Sequence, residues 1–133
     1  MKQHVSIITL GVRDLDHARR FYERLGWIVT AEENDWFAFA FADGSAAIAL
    51  YPWDGLADDA NVGAAGDGFR GVTLAYGVGS EERVDEVLAE AAAAGATIVK
   101  RAQATAWGGY NGYFADPDGH LWEVVKLDNF QAE

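Results

Sequence analysis

A chain of 133 residues is long enough for one domain and buries about two-thirds of its unfolded surface without disulfide or metal staples. It carries 21 acidic against 10 basic residues, a net charge of -11, so phosphate backbones and anionic lipid surfaces repel it and neither nucleic acid nor membrane is an expected partner. It has no cysteine, which excludes disulfides, thiolate metal sites, iron–sulfur clusters and a cysteine nucleophile.

The start, Met1 to His4, runs straight into a strand-like segment. No charged region, apolar core and cleavage site follow one another, and no stretch approaches ~18 uninterrupted apolar residues. The expectation is a cytoplasmic protein.

Taken in order, the segments spell one pattern twice. Val5 to Leu10 is apolar and β-branched, as a buried strand requires. Asp14 is placed to cap a helix whose Leu15, Ala18, Phe21, Tyr22 and Leu25 form one stripe, with Gly26 just past its end. Trp27 to Thr30 reads as a second strand. Trp36 to Phe41 alternates strictly and puts Phe37, Phe39 and Phe41 on one face. Asp43-Gly44 signals a hairpin, and Ser45 to Tyr51 reads as the returning strand. Residues 52–68 are Gly, Ala and Asp with few large side chains, and read as a linker or flap.

The second half repeats the order. Gly71 to Tyr76 is a strand, and Ser80 caps a helix striped by Val84, Val87, Leu88 and Ala91 that Gly95 ends. Thr97 to Lys100 and Tyr110 to Phe114 are strands, Asp116-Pro117-Asp118-Gly119 is a turn, and Leu121 to Leu127 closes the pattern. The reading is an α+β fold of two βαβββ modules, residues 1–51 and 69–133, forming a single domain. Each module alone exposes an apolar sheet face, so the modules must pack together or exchange between chains.

The repeat, the segment VRDLDHARRFYERLGW and the segment GYFADPDGHLWEVV resemble the vicinal oxygen chelate superfamily, which includes glyoxalase I, extradiol dioxygenases and bleomycin-resistance proteins. The resemblance spans nearly the whole chain. It implies two modules curling an eight-stranded mixed sheet into a cup, and a homodimer, sometimes with exchanged modules. In the enzymes of that family it also implies a metal held by His or Glu on the first and last strand of each module. Here the corresponding positions are Ile7, Ala49, Val72 and Glu123. Only Glu123 is a ligand type; His4 and His120 fall out of phase with those positions, and His17 falls in the first helix turn, on its solvent side. No metal and no other cofactor is expected.

Glu123 remains as a carboxylate for a hydrogen-bonding or basic ligand group, or as a general base. No Ser–His–Asp arrangement, phosphate loop or dinucleotide fingerprint accompanies it. The aromatics supply stacking surfaces for planar or cationic ligands. Trp36, Tyr51, Tyr76, Trp107 and Tyr110 are the candidates, beside the apolar Ile7, Ala49 and Val72. Tyr76 shares parity with Val72 and so is expected to face the cup, while Trp122, out of phase with Glu123, faces away. Trp107-Gly108-Gly109 reads as a hinge beside an aromatic. Trp53, Asp54 and Leu56 to Asp59 read as the cup rim.

The leading expectation is a metal-independent binding protein for an aromatic or cationic small molecule, as in the antibiotic-resistance branch of the family. The alternative is a glyoxalase- or dioxygenase-like enzyme with a relocated metal site or with Glu123 as base. A dimer module with a vestigial pocket is the third.

Overall fold

The computed structural model describes residues 1–41 and 43–128; Ala42 and residues 129–133, the end of the expected second module, lie outside them. The elements run β1 (Ile7–Val12), α1 (Leu15–Arg24), β2 (Ala31–Glu33), β3 (Trp36–Phe39), β4 (Ala47–Pro52), α2 (Trp53–Asp59), β5 (Thr73–Val78), α3 (Glu81–Ala94), β6 (Thr97–Ala104), β7 (Tyr110–Ala115) and β8 (Leu121–Lys126). They form two four-stranded sheets, ordered β1-β4-β3-β2 and β5-β8-β7-β6. In each the first strand pairs in parallel with the last, and the other pairings are antiparallel. The chain divides accordingly into two units, Met1–Asp67 and the segment from Gly68 onward. The expected α+β pattern of two βαβββ modules is therefore present.

In the first unit, Asp14 caps α1 by accepting from His17 N at 2.9 Å. The stripe Ala18, Phe21 and Tyr22 is buried and turned onto the sheet. Tyr22 stacks on Trp27 with centroids 5.0 Å apart, and Trp27 meets Phe39 and Phe41 edge-on at 5.6 and 5.4 Å. This aromatic packing explains one departure from expectation. Trp27 is committed to the helix-side core, so the second strand is not Trp27 to Thr30 but begins at Ala31.

The linker reading of residues 52–68 is also corrected, because α2 forms there. Trp53 and Leu56 lie one helical turn apart and pack over Gly11, whose missing Cβ leaves the room: a Cβ would meet Trp53 Cε3 at 3.3 Å and Leu56 Cδ2 at 3.5 Å. Trp53 Nε1 donates to the Ala64 carbonyl at 3.1 Å, and the Arg13 guanidinium lies 4.3 Å from its ring centroid. The Gly- and Ala-rich composition hid this pair of anchors.

In the second unit, Ser80 caps α3 by accepting from Arg83 N at 3.1 Å, and Gly95 ends it in the left-handed region at φ 115°. Val84, Val87, Leu88, Ala91 and Ala94 are buried, and α3 packs on β6, β7 and β8. Facing it are Phe114 and Trp122, stacked at 6.2 Å, and the fully buried Val124. Gly112 is required here: a Cβ would stand 2.5 Å from Leu88 Cδ1 and 2.9 Å from the Lys100 carbonyl. Strand β6 runs to Ala104, four residues beyond the expected end, and has two breaks in its register with β7.

Among the described residues no helix is long and apolar enough to cross a membrane.

Candidate functional site

Glu123 is set by the turn that precedes its strand. Asp116 is 4 % exposed, and its Oδ1 accepts from the backbone N–H groups of Asp118 and His120, each at 2.9 Å. Gly119 takes φ 87°, a left-handed conformation that costs other residues roughly 1–2 kcal/mol. This turn fixes where β8 enters and hence which of its side chains leave the helix-packed face. Trp122 and Val124 pack toward α3, so Glu123 between them points to the opposite face.

On that face the ladder places Tyr113 beside Glu123 on β7, Lys100 beside Tyr113 on β6, and Ala75 beside Glu123 on β5. Asn111, one step along on β7, shares the face and is 5 % exposed. A chain of hydrogen bonds joins them. Lys100 Nζ donates to Asn111 Oδ1 at 2.7 Å, and Asn111 Nδ2 donates to Glu123 Oε1 at 2.5 Å. The chemistry fixes the amide's orientation, since an ammonium only donates and a carboxylate only accepts. The Tyr113 phenol lies beside the Glu123 carboxylate, and the Lys100 ammonium lies 5.8 Å from the Tyr113 ring centroid. Burial, then the Glu123 charge and hydrogen bond, push the Tyr113 phenol above its ordinary pKa.

Lys100 was not a sequence candidate, and its position has a specific cause. Ile98 pairs with Phe114, yet the next pair along is Lys100 with Tyr113. Val99 is an extra residue in the ladder. Were Val99 paired in regular alternation instead of bulged, Lys100 would share the face of Ile98, toward α3. Asn111 carried no motif, and Tyr113 was legible only as one aromatic among several.

The register corrects two expectations. Tyr76 pairs with Val124, not with a residue on the face of Glu123, so it lies on the face toward α3, and Val72 precedes β5 with 63 % of its surface exposed. Tyr110 has the parity of Gly112 and Phe114, and its hydroxyl donates to Asp85 Oδ1 on α3 at 3.0 Å. That hydrogen bond, then burial and the charges of Asp85, Glu81 and Glu82, raise the Tyr110 pKa. The expected hinge at Trp107 is a turn clipped by Thr105: Gly109 N donates to Thr105 Oγ1 and Thr105 N to the Gly109 carbonyl, both at 2.8 Å. Trp107 itself is exposed.

In the first unit, Ile7 pairs with Ala47, and Ala49 with Thr9 and Ala38. Phe37 lies under the Arg19 guanidinium of α1 at 4.5 Å, so its neighbour Trp36 faces the other way, with Ala38, Ala49 and Ile7. Tyr51 shares that side, with Gly55 of α2 close against its ring. This face is mostly small, apolar and aromatic, with Thr9 beside Ala49 and Glu33 beside Trp36. Glu123, Asn111 and Lys100 are on the second unit's sheet.

The donors do not fit a divalent metal. Among the described residues no three His, Asp or Glu side chains come together. Glu123 Oε1 already accepts from Asn111, which is in turn held by a lysine ammonium. A metal there would have to share that carboxylate with the amide and sit near a positive charge, with a single carboxylate for a ligand.

The sequence profile of the glyoxalase/bleomycin resistance protein/dioxygenase superfamily matches residues 4–124. The chain belongs to that superfamily. Among solved structures, it is 32% identical to a glyoxalase-related enzyme from Fulvimarina pelagi, with a TM-score of 0.83 over 95% of this chain and 89% of that one. A glyoxalase/bleomycin resistance protein/dioxygenase family enzyme from Burkholderia phytofirmans PsJN is 19% identical, with a TM-score of 0.81 over 93% and 98% of the two chains. Lactoylglutathione lyase from Agrobacterium tumefaciens is 21% identical, with a TM-score of 0.71 over the full length of both. These last two share the fold. No curated protein matches the chain. Within the superfamily fold, Glu123 is the carboxylate of the last strand, and this chain surrounds it with Asn111, Tyr113 and Lys100.

Proposed function

We propose that this superfamily member is a metal-independent small-molecule binding protein. Its polar anchor is the Lys100–Asn111–Glu123 chain with Tyr113, on the sheet face away from α3. The observation that carries the reading is the hydrogen bond from Asn111 to Glu123, which with the Lys100 ammonium behind it sets an amide and a positive charge where a metal would need further His or carboxylate ligands. A few converging polar groups beside a tyrosine ring suit a partly aromatic ligand. Chelator-treated protein screened against planar aromatic compounds by Trp fluorescence and thermal shift tests this. Saturable binding in chelator supports the reading, and binding that requires an added metal defeats it.

The 32% identity to a glyoxalase-related enzyme favours a second reading in which Glu123 is a general base and takes a proton from a bound substrate. Turnover of a hemithioacetal or a catechol, lost in Glu123→Gln, selects it.

The homodimer and the cytoplasmic location belong to the same proposal. Exposed apolar side chains at Val5, Ile7, Phe69 and Val72 support the dimer. Light scattering reads its mass directly.

A further inference from the structure

Glu123 is the acid on which a basic ligand group was expected, yet its carboxylate already accepts from Asn111 and has the Tyr113 phenol beside it. Lys100 is in the opposite condition. An ammonium has three N–H donors, and among the described residues its single hydrogen-bond acceptor is Asn111 Oδ1. The side chain is half-buried, so the two remaining donors face a partly desolvated surface where a charge-assisted hydrogen bond is stronger than in water. Asn111 holds the head group on one side, the Tyr113 ring lies beside it, and the extra residue Val99 turns it to this face. Bulges that re-aim one side chain in this way recur beside functional sites.

We infer that Lys100 Nζ is the recognition group of the site and that the ligand is an aromatic monocarboxylate. Its carboxylate takes the two open N–H groups of Lys100, and its ring lies against Tyr113. Glu123 and Asn111 hold the ammonium in place and do not bind the ligand's charge. The inference rests on the metal-free binding reading and names the ligand class for it, an aromatic anion where the expectation had been an aromatic or cationic compound.

Benzoate, benzamide and benzamidinium have nearly the same shape and differ in charge, so they separate the alternatives. Each is titrated in EDTA into the 15N-labelled protein, and backbone amide shifts of Lys100, Asn111 and Glu123 are followed. The expected result is that benzoate binds about tenfold more tightly than benzamide, and benzamidinium more weakly still. Lys100→Met removes the advantage of benzoate, and Lys100→Arg keeps part of it. The ranking on the unaltered protein stands whether or not Lys100→Met folds. Benzamidinium binding as tightly as benzoate in EDTA overturns this inference alone, as does benzoate leaving the Lys100 amide unshifted while benzamide moves it. Binding of benzoate that appears only after Mn(II) is added, and persists in Lys100→Met, overturns the metal-free reading as well.

Discussion

Lys100 stands beside Tyr113 in the β6–β7 ladder because the strand carries one residue, Val99, that has no partner there. From that position its ammonium reaches Asn111, and through Asn111 it is coupled to Glu123. A positive charge and a negative charge are thus held on one sheet face by a neutral amide that satisfies both.

The amide is where the network is most vulnerable. Asn111→Ala leaves a lysine and a glutamate on a half-buried face without their shared partner. The expected cost is about 1–3 kcal/mol, read as a lower urea midpoint with an unchanged slope. An unchanged midpoint would mean that the Asn111 bridge contributes nothing to stability.

Gly112 separates α3 from the β6 backbone. Gly112→Ala places a Cβ 2.5 Å from Leu88 Cδ1 and 2.9 Å from the Lys100 carbonyl. Leu88 can rotate, but the β6 backbone must move. Overpacking of this kind costs about 1–3 kcal/mol. It also shifts the strand that carries Lys100, so the Lys100 amide resonance should move further than those of the first unit. A spectrum with no change at Lys100 would show that the contact is absorbed by Leu88 alone.

The turn before β8 is a separate support. Asp116→Ala removes the acceptor of two backbone N–H groups, with an expected loss of about 1–3 kcal/mol. Hydrogen exchange at Asp118 and His120 should accelerate in the variant. Equal exchange rates would contradict the role assigned to the carboxylate.

Stability should fall in strong alkali. The Tyr113 and Tyr110 phenols are both raised above the ordinary value of 10.0, the first mainly by burial and the second mainly by its bond to Asp85. A raised phenol binds its proton more tightly in the folded chain. The stabilisation is complete below the unfolded pKa, near pH 10, and is lost as the pH climbs from there through the folded value. Urea midpoints measured between pH 8 and pH 11 should decline above about pH 10, less steeply in Tyr113→Phe. A Tyr113→Phe profile as steep as that of the unaltered protein would count against the Glu123 contact.

Much of the fold was readable because its signals are local. Asp14, Ser80 and Gly95 act at helix ends through the backbone within one turn, and the alternation of Phe37 and Phe39 needs only the strand they belong to. Glu123 and the outward turn of Trp122 follow from the same alternation. The rest depended on tertiary facts. Tyr76 was placed by counting parity from Val72, but pairing with Val124 decides its face. Lys100 was lost for a comparable reason: a one-residue bulge reverses every facing beyond it, and no residue type announces it. Trp53 and Leu56 looked like loop residues until Gly11 offered the space they pack into.

The central claim is that the Lys100 ammonium and the Asn111 amide beside Glu123 disfavour a divalent metal there. Chelator-treated protein titrated in turn with Ni, Zn, Mn, Co and Fe(II), with metal stoichiometry and melting temperature measured together, tests it most directly. The account predicts no stoichiometric metal and no shift in melting temperature. One equivalent of bound metal with a clear rise in melting temperature, abolished by Glu123→Gln, would contradict it.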